Sequence, residues 1–202
     1  RGPHGEFGDW ASLKDRWMDE GHLPEDIKPK DGGVIPDGLV EGFFGCETRI
    51  VVSQGIDAGP GRKVEIVDTT GDKVIYRDSL GTLCEEVKEG IRTIPHYLEF
   101  PIKDRATWEG FRDEFLNPDA TWRGKSEDEI NALNAKYRDC DTPVGINFGS
   151  FIGRIRNWVG FENLAYMSHD DPELVEEMVA HVTGLMSRYL PPLLEPAEFD
   201  FA

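Results

Sequence analysis

The sequence predicts an α/β fold, and three observations carry that expectation. A short apolar run, Pro143 to Phe148, passes directly into a helical segment from Ser150 to Asn157. The clearest amphipathic helix of the chain then opens at Asp171-Pro172, and a further β-type stretch begins at Phe199. Strand, helix, strand in this order is the pattern of a parallel sheet with crossover helices.

Asp9 to Glu20 places Trp10, Leu13, Trp17 and Met18 at helical spacing with Asp9 as the cap, and the pattern stops at Gly21 and Pro24. From Asp26 to Gly45 the density of Pro29, Gly32, Gly33, Pro36 and Gly38 predicts an irregular loop. Arg49 to Val52, Lys63 to Val67 and Lys73 to Arg77 are β-branched runs. The Asp-Thr-Thr-Gly-Asp segment at 68–72 suits a hairpin between the last two, leaving one face polar. After Phe100-Pro101 helices take over. Asp104 caps a segment with Trp108, Phe111 and Phe115 on one side, and Ser126 with Glu129 forms a capping box ahead of Ile130, Leu133 and Tyr137. Beyond the 143–148 strand come helices at Ser150 to Asn157 and Phe161 to Met167. In the long helix Leu174, Val175, Met178, Val179, Val182, Leu185, Met186 and Tyr189 recur at three and four residues. Asp171 caps it, Pro172 takes the tolerant first position and Pro191-Pro192 ends it.

Composition bounds the function. The 202 residues, 39% of them apolar, suffice for one domain with a real core. With 39 acidic against 22 basic side chains the net charge is −17, which repels nucleic acid and anionic membranes. Cys46, Cys84 and Cys140 are odd in number and far apart, without a CxxC pair, so a cytoplasmic location in a reducing environment is expected. No apolar run of about 18 residues exists that would cross a bilayer. Arg1 is not an initiator methionine and the strand at 198–202 has barely begun, so both ends are expected to be cut.

In parallel α/β folds ligands sit beyond the carboxyl ends of strands, where helix N-termini point their amides into the same space. Asn147, Ser150, Phe151, Arg154 and Asn157 occupy that location and are the candidate substrate-binding residues. Ser150 caps the helix, while Arg154 and Asn157, three residues apart on one helix face, supply donors that suit a carboxylate. Arg156 points elsewhere on that spacing. The competing reading is that these arginines pair with surface acids. No catalytic residue is named: His22, His96, His169 and His181 do not cluster in sequence, and His181, inside the long helix, reads as a packing residue. Cys84 and Cys140 lack a visible activating base.

Two segments, IPHYLEFPIKDRATWEGFRDEFLNP (94–118) and GFENLAYMSHDDPELVEEMVAHV (160–182), resemble the uroporphyrinogen decarboxylase-like superfamily. The resemblance covers about residues 60 to 202 and rests on the order of the 68–72 hairpin, the Phe-Pro-Ile strand end, the Pro-Val-Gly-Ile strand and the Asp-Asp-Pro-Glu helix start. It implies a (β/α)8 TIM barrel, a fold of about 250 residues. Here the barrel would be incomplete, a single domain with a variable N-terminal helix and loops at 1–59 and the first part of the barrel at 60–202.

The resemblance implies a carboxy-lyase that removes CO2 from a porphyrinogen-like or other carboxylate substrate without a cofactor. A second branch implies methyl transfer from a corrinoid protein partner to a thiol activated by zinc, whose ligands would lie beyond Ala202. A catalytically silent small-molecule-binding protein is the third reading, and a homodimer is compatible with each. RWMDEGHLPE (16–25) stands where the namesake enzymes carry an arginine-bearing clamp, and Asn157 falls near a tyrosine of theirs. Asp19 and Glu20 would repel a propionate, which weighs against a porphyrinogen itself.

Overall fold

A computed structural model of the chain describes residues 11–29, 33–47, 49–53, 57–88, 94–120, 126–147, 149–194 and 199–201. The expected contributions of Asp9, Trp10 and Phe148 lie outside these.

Helix α1 (Ala11–Asp19) leads through a 3-10 turn at Glu25–Ile27 to helix α2 (Asp37–Phe43). This corrects the irregular loop expected from Asp26 to Gly45. Pro36 is the extended residue ahead of the first turn. Val40 and Ile35 bury against Leu23 and Ile27 with Trp17 alongside, and this burial outweighs the poor helix propensity of Gly38 and Gly42. Lys14 is buried: its ammonium donates to the Ile35 carbonyl at 2.8 Å and to the Asp37 carboxylate, tying α1 to the start of α2.

Strand β1 (Ile50–Ser53) is followed by an antiparallel meander, β2 (Glu65–Thr70), β3 (Lys73–Arg77), β4 (Leu83–Val87) and β5 (His96–Glu99), in spatial order β2-β3-β4-β5. The β2–β3 turn consists of Gly71 and Asp72, with Gly71 at φ 58°, the backbone a two-residue hairpin requires. β2 runs to Thr70, three residues further than its apolar run indicates. Lys73 reaches Glu85 across the sheet and Tyr76 donates to Glu86 at 3.3 Å, so the glutamates that hide β4 from a hydrophobicity pattern bind β3 through diagonal side-chain contacts.

Helix α3 (Arg105–Phe115) starts with Asp104 and Thr107 capping each other's backbone, and α4 (Glu127–Tyr137) carries the Ser126–Glu129 capping box. Strand β6 (Val144–Asn147) pairs parallel with β1, Ile50 opposite Val144 and Ser53 opposite Asn147. Then come α5 (Phe151–Val159), α6 (Phe161–Asp170), α7 (Pro172–Tyr189) and the short α8 (Pro191–Leu194). The chain returns to β6 on its other side: a parallel bridge joins Gly145 to Phe201, and the Asp200 amide donates to the Val144 carbonyl at 2.7 Å. The parallel part of the expected α/β arrangement is thus β1, β6 and the bridge at Phe201.

The barrel is not formed. A parallel two-stranded sheet and an antiparallel four-stranded sheet stand in its place, and they do not close on one another. The reason is connection length. β2 to β3 and β3 to β4 are joined by short turns that force antiparallel pairing, whereas a barrel needs a crossover after every strand.

The main core lies between α3, α5, α6 and α7, with Ile102, Trp108, Leu116, Ile155, Leu174 and Met178 at or below 1% exposure. Full burial of each large apolar side chain contributes about 1.5–3 kcal/mol. From the predicted α7 stripe Leu174, Met178, Val182, Leu185 and Met186 are buried, with Val175, Val179 and Tyr189 packed at the margin. A smaller cluster of Ile130, Ile146 and Leu193 seats the parallel sheet.

Candidate functional site

Both parallel strands end at the same place, and the segments that leave them shape a cleft of about 270 Å³. After Asn147 the chain reverses at Gly149, whose φ of +65° a side chain would strain. The Asn147 side-chain oxygen accepts from the Gly149 amide at 2.7 Å, fixing the turn. Ser150 then caps α5, its hydroxyl accepting from the Gly153 amide at 3.0 Å.

Arg154 lies back across this turn. A Cβ on Gly149 would stand 2.7–2.9 Å from the guanidinium atoms, so only glycine lets the cation rest on the backbone. The Arg154 side chain is 12% exposed, and Asp57, which lies beyond β1, accepts from its Nε at 3.1 Å and lies 3.0 Å from its Nη2. Arg156 Nη2 donates to the Asn157 side-chain oxygen at 3.1 Å. Two guanidinium groups and one carboxylate therefore line the cleft, a local positive excess on a chain of charge −17. Such a cleft can hold one carboxylate through charge-assisted hydrogen bonds, with the first amides of α5 nearby.

Of the candidate residues, Asn147, Ser150, Arg154 and Asn157 line this cleft, and Phe151 is not in its wall but faces outward at 39% exposure. Arg156, expected to point elsewhere, is in the wall beside Asn157. Asp57, Gly149 and Gly153 were not anticipated. The signal for Asp57 was indirect: it comes after the 49–52 run, and a parallel pairing of that run with 143–148 brings its exit loop beside Ser150.

The other candidates stand apart from this cleft. His181 Nε2 lies 3.0 Å from the Leu116 carbonyl and its ring packs edge-on against Trp108, a packing role. His22 faces Glu20 and His96 faces Glu85. In the 16–25 segment Arg16 pairs with Glu20 while Leu23 joins the N-terminal cluster. Cys84 is buried with its thiol toward the Thr82 carbonyl, and burial pushes its pKa up. Burial, then the neighbouring Cys84 and Glu86, pushes the Tyr76 phenol up to about 12, so neither group is an activated nucleophile at neutral pH. The three cysteines are free. Among the described residues no group of three or more His, Cys, Asp or Glu is placed to hold a metal ion, and no helix is long and apolar enough to cross a membrane.

Compared with family models, with curated proteins and with solved structures, the chain matches none.

Proposed function

We propose that the chain binds a small carboxylate in the Arg154 cleft and acts on it as a cofactor-independent decarboxylase, the activity its resemblance implies. The observation that carries the binding is the meeting of Arg154, Arg156, Asn157, Asn147, Ser150 and Asp57 around one cleft where two parallel strands end. Its volume of about 270 Å³ falls below the ~300–1,000 Å³ usual for drug-sized ligands. The substrate class that fits is a small mono- or dicarboxylate, not a porphyrinogen macrocycle.

In this reading Arg154 and Asn157 fix the orientation of the substrate carboxylate, and Asp57 holds the Arg154 guanidinium in place. Cleavage of the bond to CO2 leaves its electron pair on the substrate carbon, and an adjoining π-system of the substrate must take it up. Water returns the proton. The Asp57 side chain is 67% exposed and salt-bridged to Arg154, which suits it to orienting rather than proton donation.

The test is a calorimetric titration with a panel of small carboxylates, followed by CO2 release on those that bind. Arg154→Ala should weaken binding at least tenfold, about 1.4 kcal/mol. Normal binding by that variant removes the assignment. Binding without CO2 release leaves a carboxylate receptor, and stoichiometric zinc with corrinoid-dependent methyl transfer replaces decarboxylation by the second branch.

A further inference from the structure

A second cleft, of about 410 Å³, lies on another part of the molecule, between α3 and the β3–β4 and β5–α3 connections. Its floor is apolar: Phe111 is buried, Leu80 and Phe100 are half-buried, and the buried Phe115 ring is covered by the Arg62 guanidinium, 5.4 Å from its centroid. Its rim is charged, and the charges do not cancel. Arg62 and Glu114 form a two-point pair, Nε to Oε1 at 2.5 Å and Nη2 to Oε2. Glu99, by contrast, serves both Arg77, at 3.1 Å, and Lys103. Arg77 is oriented by a second bond, from Nη1 to the Gly81 carbonyl at 3.1 Å. Two cations sharing one carboxylate leave a single positive charge in excess above an aromatic floor.

Gly110 adds a structural oddity at the same place. It sits inside α3, where glycine is the poorest helix former after proline, yet it lines the cleft and a Cβ built on it would meet nothing within 4 Å. Packing does not demand the missing side chain. The vacancy opens the wall of the cleft instead.

We propose that this cleft is a binding site for a small planar aromatic carboxylate, its ring on Leu80, Phe100 and Phe111 and its carboxylate toward Arg77 and Lys103. The size falls in the ordinary range for ligand pockets, whose pattern is an apolar lining with few polar groups. A purely apolar ligand would leave the excess charge unused, and a small aliphatic carboxylate would leave the floor uncovered.

Naphthalene-2-carboxylate titrated into the intact chain, with 1H–15N correlation spectra recorded at each step, tests this. Saturable shifts are expected at Gly81 and Gly110. 2-Naphthol, which lacks the carboxylate, should bind about tenfold more weakly, and Lys103→Ala should lose a similar factor for the carboxylate. Gly110→Leu and Gly110→Trp, on an exposed helix surface, should abolish the shifts while the rest of the spectrum stays folded. The proposal is overturned by shifts confined to Gly149 and Gly153, by no saturation, by equal binding of 2-naphthol, or by folded Gly110 variants that bind as the parent does. Shifts at the Arg154 cleft alone would leave the proposed function standing.

Discussion

Glu177 on α7 gathers three donors from α3: Trp108 Nε1 at 2.9 Å, Arg105 Nη1 at 2.5 Å and Arg112 Nη1 at 3.4 Å. The Trp108 indole, then Arg105, holds its carboxyl below the ordinary glutamate value of about 4.3. A carboxyl lowered on folding contributes stability that is fully present above its unfolded pKa and lost as pH falls through the folded value. Trp108→Phe removes the donor and, with it, part of a fully buried ring, so a packing loss accompanies the lost hydrogen bond. It should raise the Glu177 pKa, cost about 2–3 kcal/mol at neutral pH through the lost bond and the cavity together, and flatten the acid side of a urea-midpoint against pH curve below about pH 4. An unchanged acid limb counts against the role given to the indole. Lys14 offers a second check. Lys14→Met fills the same space but leaves the Ile35 carbonyl without its donor, so stability should drop by about 1–3 kcal/mol in equilibrium unfolding.

Gly160 joins two elements, ending α5 and beginning α6 at φ +82°, with the Phe100 ring only 2.5 Å from where a Cβ would stand. Gly160→Ala therefore meets backbone strain and a clash together, on the order of 2–3 kcal/mol, read from chemical denaturation. Adding Phe100→Ala should remove the clash and leave the strain, so the double variant tests both parts. Which elements the sequence disclosed depends on the same division between local and distant causes. The caps at Asp104, Ser126, Ser150 and Asp171 act within one helical turn, and all four helices start where those residues stand. α2 was hidden because its support comes from Leu23 and Ile27, not from its own glycines. β4 was hidden by Glu85 and Glu86. The candidate site divides likewise: Ser150, Arg154 and Asn157 are legible on one helix, whereas Asp57 enters only through the pairing of β1 with β6, which no local pattern states.

At the scale of the whole molecule the charge of −17 dominates. Among the described residues every ion pair keeps at least one partner exposed and is worth little, so repulsion among the surplus carboxylates outweighs what screening takes from those pairs. Raising salt from 10 to 150 mM shortens the screening length from about 30 to about 8 Å and should raise the melting temperature. A falling melting temperature would show that the pairs win.

The parallel pairing of Ile50 with Val144 also sets an order in time. The β2–β3 hairpin pairs neighbouring chain and the helices α5 to α7 pack on one another before α3 completes their core, while β1 and β6 must find each other across the entire meander, α3 and α4. Closing so long a loop is entropically costly, and contacts of that separation form late. In pulsed hydrogen exchange during refolding, the amides of the hairpin and α7 should gain protection before those of Ile50 to Ser53 and Val144 to Asn147. The Arg154 cleft, resting on that pairing, is then the last part of the molecule to be assembled and the first to open, so a carboxylate bound there would slow unfolding.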